Sequence, residues 1–321
     1  MPDLSVDIIE NTIRRHQDLL SLLLIDRTRT SRTKTHHILW ATDSYAGHRP
    51  TDEITVDAIT GKNTYLIQPR IAKTKAEQKN RTHDKAEVFT PKDIVEAMNK
   101  QIDWHTTNWP TTEKNWQNYV KENRLEITCG EAPFIVSRYN ATNGKKILKL
   151  DERVGFLDRK LQTVSKFCPD KATWIKWGAI AFKSSYGYEW QGDNLLLARE
   201  NLLYTFIDYW NEQFSTDKIN LERQVSEDKL NLLKEIATII SWNIFQMDGL
   251  KYVVPMSCKS EVTKEVIPPI LFISGERVNK KLRLKECPGC AKSDCRLHNG
   301  KYVKIMDWEK NKPRKFISLL P

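Results

Sequence analysis

Residues Arg124 to Tyr139, RLEITCGEAPFIVSRY, have the types and spacing to cradle a small anionic ligand. Leu125 and Ile127 fit a strand buried in a parallel sheet. Gly130 lets the backbone pass close to a ligand with no side chain in the way. A helix after this turn would aim its unpaired amides at a ligand carboxylate. Nothing near Cys129 marks it as a nucleophile. An ordinary strand, turn and helix of some other α/β domain would use the same residue types.

A second set of ligand-type residues lies further along. Cys287-Pro288-Gly289-Cys290 separates two thiols by two residues, and Cys295 and His298 follow shortly after. Two thiolates at that spacing hold two corners of a tetrahedron, and Cys295 with His298 can supply the others, the pattern of a structural zinc site. With four protein ligands no position stays open for water, which argues against a catalytic metal. Reduced surface thiols are the alternative.

Order along the chain adds to the glycine turn. Upstream, Ala86 to Pro91 reads AEVFTP and is followed by Ile94, Val95 and Met98 at helical spacing. Thr90 can cap that helix with Pro91 at its first position. Downstream, IATIISWNIFQMDGL (Ile236 to Leu250) is a hydrophobic run leading to Asp248, and VKIMDW (Val303 to Trp308) contains Asp307. These segments, in this order, resemble the adenine-specific DNA methyltransferases of restriction-modification systems, of the kind called restriction endonuclease subunit M. The resemblance covers roughly residues 38 to 321. It takes in Trp40-Ala41-Thr42-Asp43, the run Arg153 to Lys160, and Glu189-Trp190-Gln191-Gly192-Asp193-Asn194. Where the family usually keeps a second glycine, this chain has Ala132.

The resemblance implies an α/β fold: a Rossmann-like S-adenosylmethionine-dependent methyltransferase core with N-terminal helices and a helical insertion. It implies S-adenosylmethionine as cofactor, with Phe89, Thr90 and Pro91 closing over its methionine end. Glu126, Thr128, Cys129, Gly130 and Phe134 would line the pocket. Asp248 would accept hydrogen bonds from the ribose hydroxyls, and Asp307 would sit beside the adenine ring. The family's catalytic motif, Asn or Asp followed by Pro-Pro and an aromatic, occurs nowhere in the chain; the Pro-Pro pair of Ile267-Pro268-Pro269-Ile270 lacks both the amide and the ring. The sequence stops about where the family's next strand would lead into that motif. The expectation is a cofactor-binding subunit of a split enzyme, its catalytic loop supplied by a second subunit. A non-catalytic DNA-binding or regulatory protein of the same shape is the alternative, and a nuclease built on Asp158 and Lys160 is a third.

Lys and Arg number 51 against 41 Asp and Glu, a formal charge of +10 that makes DNA a plausible partner. Arg27, Arg29, Arg32 and Lys34 crowd one segment with His36 and His37. Arg70, Lys73, Lys75, Lys79, Arg81 and Lys85 crowd another, from which Arg70, Lys73, Lys75 and Arg81 are the candidates to follow a phosphate backbone. Neither a membrane span nor a signal peptide is expected, and six cysteines so placed do not form a secreted disulfide framework, so a cytoplasmic protein is expected.

The coarse organisation is an N-terminal helical and basic segment, 1–84, then a cofactor-binding domain, 85–321, with a helical insertion at about 141–235 and the Cys/His knuckle at 287–298. Residues 4 to 25 carry Leu4, Ile8, Ile9, Ile13, Leu20, Leu23 and Leu24 on one apolar helical face, expected to pack on the chain's own core. Trp104, Trp109 and Trp116 anchor a polar loop. Asp193 or Asn194 caps a helix with a core stripe of Leu195, Leu202, Leu203, Phe206 and Trp210. The run Tyr186-Gly187-Tyr188-Glu189-Trp190 fits a hydrophobic corner or a base-stacking surface. Residues 215 to 233 fit a charged helix.

Overall fold

The computed structural model describes residues 11–85, 90–106, 108–264 and 282–320; Phe89 lies outside them. Along the chain come α1 (Gln17–Leu24), α2 (Lys75–Lys85), α3 (Lys92–Trp104), α4 (Trp116–Lys121), β1 (Arg124–Glu126), α5 (Phe156–Phe167), α6 (Lys171–Lys183), β2 (Ser185–Glu189), α7 (Gly192–Gln213), α8 (Glu227–Asn243), β3 (Ile244–Gln246), β4 (Glu261–Lys264), β5 (Leu282–Lys285), α9 (Pro288–Lys292), β6 (Lys304–Asp307) and β7 (Lys312–Lys315). The fold is mixed α/β. Its sheet is parallel, in the order β1-β2-β3, with Glu126 level with Gly187 and Glu189 level with Gln246. Parallel neighbours need long crossovers, and helices supply them: α5 and α6 between β1 and β2, α7 and α8 between β2 and β3.

The core joins the N-terminal segment to the sheet layer. Ile13, Leu19, Leu20, Leu23, Leu24, Trp40 and Ile54 are fully buried in the same cluster as Trp174, Phe182, Leu202, Phe206 and Ile240. Of the expected apolar face, Ile13, Leu20, Leu23 and Leu24 pack on the chain's own core, while Leu4, Ile8 and Ile9 lie outside the described residues. The face is interrupted, however: a 3-10 turn (Ile13–Arg15) precedes α1, with His16 between them. The expected stripe on α7 is core throughout, with Leu195, Leu202, Leu203, Phe206 and Trp210 all buried.

Several boundaries shift. The segment expected as an insertion contains β2, so the strand beside β1 is Ser185–Glu189, not the run ending at Asp248. Most of Ile236 to Leu250 is the end of α8; only Ile244–Gln246 is strand. Val303 to Trp308 contributes β6, paired antiparallel with β7 outside the parallel sheet. Residues 215–226 are not helical, and α8 starts at Glu227. The N-cap of α7 is Gln191, so Asp193 and Asn194 lie inside its first turn. Pro91 is the N-cap of α3 and Thr90 does not cap it. Trp109 and Trp116 pack on the core, while Trp104 is exposed.

Strand β1 carries the opposite phase from that expected. Leu125 is 42% and Ile127 64% exposed, whereas Arg124 and Glu126 point inward. Partners explain the inversion. Arg124 meets the buried Asp103 at 2.7 Å, and Glu126 is held by the backbone amides of Phe134 and Ile135, so each buried charge has a partner inside.

Candidate functional site

At the C-terminal ends of β1 and β2 lies a cleft of about 700 Å³. Its floor is the turn after β1. No helix follows that turn; residues 127–138 form a chain of turns held by short-range bonds such as Ala132 N to Cys129 O (2.7 Å) and Val136 N to Ala132 O (2.9 Å). The amides that a helix would have left free are occupied. Glu126 accepts from Phe134 N (3.3 Å) and Ile135 N (3.1 Å). Glu189, at the end of β2, accepts from Gly130 N (2.8 Å) and Gln191 N (3.0 Å). Two carboxylates therefore take over the role of the helix in holding the turn.

The backbone of this turn is tightly wound. Thr128, Gly130 and Ala132 have φ of +47°, +53° and +65°, a left-handed region that is costly for residues with a Cβ. A Cβ at Gly130 would meet nothing within 4 Å. The glycine therefore serves the backbone conformation and leaves the space above it to the cleft. From below, Asn99 of α3, wholly buried, donates to Phe134 O and Val154 O, both at 3.0 Å.

The walls bring distant segments together. Trp190 Nε1 donates to Ala41 O at 3.0 Å, and Asn201 Nδ2 to Glu131 O at 3.1 Å. Glu131 also accepts from Arg70 N at 2.6 Å and from the Tyr139 hydroxyl. Burial raises the Glu126 carboxyl well above the ordinary glutamate value, against its amide bonds and together with the Glu189 charge. Burial likewise raises Glu189 despite its amide donors. Cys129 is buried and its thiol is pushed well up by burial and by both glutamates; such a thiol is inert as a nucleophile.

Of the sequence candidates, Thr90, Glu126, Thr128, Cys129, Gly130, Phe134 and Arg70 line the cleft. Pro91 and Asp248 do not. Asp248 closes a turn, accepting from Leu250 N and Lys251 N at 3.1 Å each. Asp307 is not a lining residue either; in β6 it accepts from Lys310 N at 3.0 Å. Glu189, Trp190, Gln191 and Asn201 line the cleft but were not singled out as ligands. Glu189, Trp190 and Gln191 fall in the polar run Glu189 to Asn194 that follows the aromatic Tyr186 to Tyr188, whereas Asn201 lies inside the helical pattern and carries no such signal.

The basic candidates mostly face inward. Arg81 Nη2 lies 2.7 Å from the wholly buried Asp193, and Lys73 Nζ lies 3.6 Å from it. Arg70 is buried and donates to Gln78 O and Thr82. Only Lys75 is exposed. Three of the four are thus spent on internal bonds, which a phosphate would have to break. Asp158 and Lys160 are also wholly buried. Asp158 accepts from Ser137 N at 2.7 Å, and Lys160 donates to backbone oxygens of Glu122 and Ser184. Neither opens on a surface where a nuclease metal could meet DNA.

The cysteine cluster forms with one change of member. Cys258, Cys287, Cys290 and His298 place their ligand atoms within 4.8 Å of one another and could hold a metal ion. Cys295 is not among them; its carbonyl accepts from the Tyr302 hydroxyl at 2.9 Å. Among the described residues, no helix is long and apolar enough to cross a membrane. Compared with known proteins, the chain matches no family model, no curated protein and no solved structure.

Proposed function

We propose that this chain is the cofactor-binding subunit of a split DNA adenine methyltransferase of a restriction-modification or related defence system, holding S-adenosylmethionine in the cleft above Gly130. The observation that supports it is the facing of a glycine turn after β1 by a carboxylate, Glu189, at the end of the adjacent parallel strand, across a cleft of about 700 Å³. Crevices at the carboxyl ends of parallel strands are where such sheets bind nucleotide-bearing ligands. Each Glu189 oxygen accepts one backbone N–H and retains a lone pair for a ribose hydroxyl. Glu189 replaces Asp248 as ribose acceptor in this reading, because Asp248 is used in its own turn. Trp190 and Phe134 supply apolar lining, and Thr90 adds a hydroxyl to it. The partner chain contributes the amide-Pro-Pro-aromatic element, which these 321 residues lack, and the complex acts on a flipped adenine in DNA in the cytoplasm.

Calorimetric titration with S-adenosylmethionine tests this. Glu189→Gln should weaken binding by roughly 1.5–3 kcal/mol, the range for hydrogen bonds to a charged group, while Asp248→Ala should leave it unchanged. Absence of binding by the wild-type chain, alone and with its partner, would overturn the reading.

A further inference from the structure

We propose that Cys258, Cys287, Cys290 and the Nδ1 nitrogen of His298 bind one zinc ion in a closed, structural site. The geometry is that of four ligands around a common centre. His298 Nδ1 lies 3.5 Å from Cys287 Sγ, 3.6 Å from Cys258 Sγ and 3.7 Å from Cys290 Sγ. A tetrahedral zinc with Zn–S near 2.3 Å and Zn–N near 2.0–2.1 Å places sulfur and nitrogen about 3.6 Å apart. Hydrogen bonding cannot produce the same arrangement. One imidazole nitrogen offers a single proton or a single lone pair, so it satisfies one thiol and leaves two without a reason to crowd it. The six cysteines are free rather than joined in disulfides.

The fold explains how a cysteine 29 positions upstream of Cys287 joins the knuckle. Strands β4 and β5 pair antiparallel with Glu261 opposite Lys285. That pairing brings the residues just before β4 beside those just after β5, hence Cys258 beside Cys287. His298 then packs over the Cys287-Pro288-Gly289-Cys290 turn so closely that a Cβ at Gly289 would stand 2.5 Å from His298 Nδ1. A side chain there would push the histidine out of the site. Around the ligands the backbone is tied. Asn299 N donates to Cys287 Sγ at 3.2 Å, as amides do to a metal-bound thiolate. Asn299 and Lys259 exchange two hydrogen bonds, at 2.8 and 3.0 Å, beside Cys258.

On binding, each thiol gives its proton to solvent and the imidazole ligates as the neutral ring, so three thiolates and one Zn²⁺ leave the site with one net negative charge. Four protein ligands exclude substrate water, which makes the ion a staple between the β4–β5 pair and the segment leading to β6. This inference does not depend on the methyl-donor reading.

Elemental analysis of the full chain, purified without chelator, should find zinc at about one per chain, as for a structural site of this ligand set. Cys258→Ser should lose that zinc and Cys295→Ser should keep it. Cobalt(II) added to the metal-stripped wild-type chain should give the thiolate charge-transfer and intense visible bands of a tetrahedral site, a readout that stands even if Cys258→Ser fails to fold. Wild-type protein without stoichiometric metal, iron in place of zinc, or loss of zinc from Cys295→Ser with retention by Cys258→Ser would each overturn the proposal.

Discussion

Glu126 and Glu189 set two buried carboxylates against a single glycine turn, and their protonation is coupled to folding. Burial raises both above the ordinary glutamate value of 4.5. A raised folded-state value means that the folded chain holds the proton more tightly than the unfolded one. The resulting stabilisation is complete below about 4.5 and is lost as pH rises through the shifted values. Asp193 behaves oppositely. Burial works to raise it, but Lys73 and Arg81 outweigh burial and lower it below 3.8, so its contribution is present above 3.8 and fades only in stronger acid. The two windows do not overlap, which allows a specific expectation. From pH 4.5 upward, Glu126→Gln should show a shallower decline in unfolding free energy than the wild-type chain. Denaturant melts at a series of pH values measure this, and parallel curves for the two proteins would reject it.

At the scale of elements, the turn depends on α3 as much as on β1. Asn99 is a polar residue at a wholly buried position, and its amide closes on two carbonyls from different segments, Phe134 O and Val154 O. Truncation removes both bonds at once, leaving Phe134 O with Phe156 N at 2.8 Å and Val154 O with Arg159 Nε at 3.3 Å. Asn99→Ala should therefore cost about 1–3 kcal/mol, two hydrogen bonds at roughly 0.5–1.5 kcal/mol each, seen as a lower denaturant midpoint with unchanged slope; an unchanged midpoint would show that α3 does not hold the turn. Sequence made some of this legible and hid the rest for physical reasons. Gly130 and its neighbours announced the turn, and the leucine stripe of α7 announced core. The phase of β1 was misjudged because Leu125 and Ile127 look like interior residues, while the true interior pair, Arg124 and Glu126, is buried only because Asp103 and two amides await it. β2 was hidden because Ser-Tyr-Gly-Tyr-Glu has a glycine at its centre and no aliphatic side chain. Cys258 was hidden because only strand pairing, not spacing, brings it to Cys287.

At the scale of the whole molecule, the described residues leave one edge of the parallel sheet without a neighbour. Among the described residues no strand pairs with the far edge of β1, where Leu125 and Ile127 are exposed. On β3, Gln246 bonds both the N–H and the carbonyl of Leu39, each at 2.8 Å, so that side is covered. An unpaired strand edge with exposed apolar side chains on the face beside it is a template for an added strand. Helix α3 adds Ile94, Met98 and Ile102, all exposed and four residues apart, to the chain's exposed apolar surface. In the proposed enzyme a strand of the partner, leading into the amide-Pro-Pro-aromatic loop, would extend the sheet at β1 and bring the loop toward the cleft. The isolated chain would then hold a methyl donor with no oriented acceptor, and orientation alone is worth roughly 7–11 kcal/mol of a barrier. Tritiated-methyl transfer to duplex DNA should be undetectable with this chain alone and should appear when the partner is added. Leu125→Glu, which puts a charge on the open edge, should abolish transfer by the pair while leaving S-adenosylmethionine binding by this chain intact. Robust transfer by the isolated chain would remove the split-enzyme reading. Full activity of the Leu125→Glu pair would retain two subunits but place their junction elsewhere than β1.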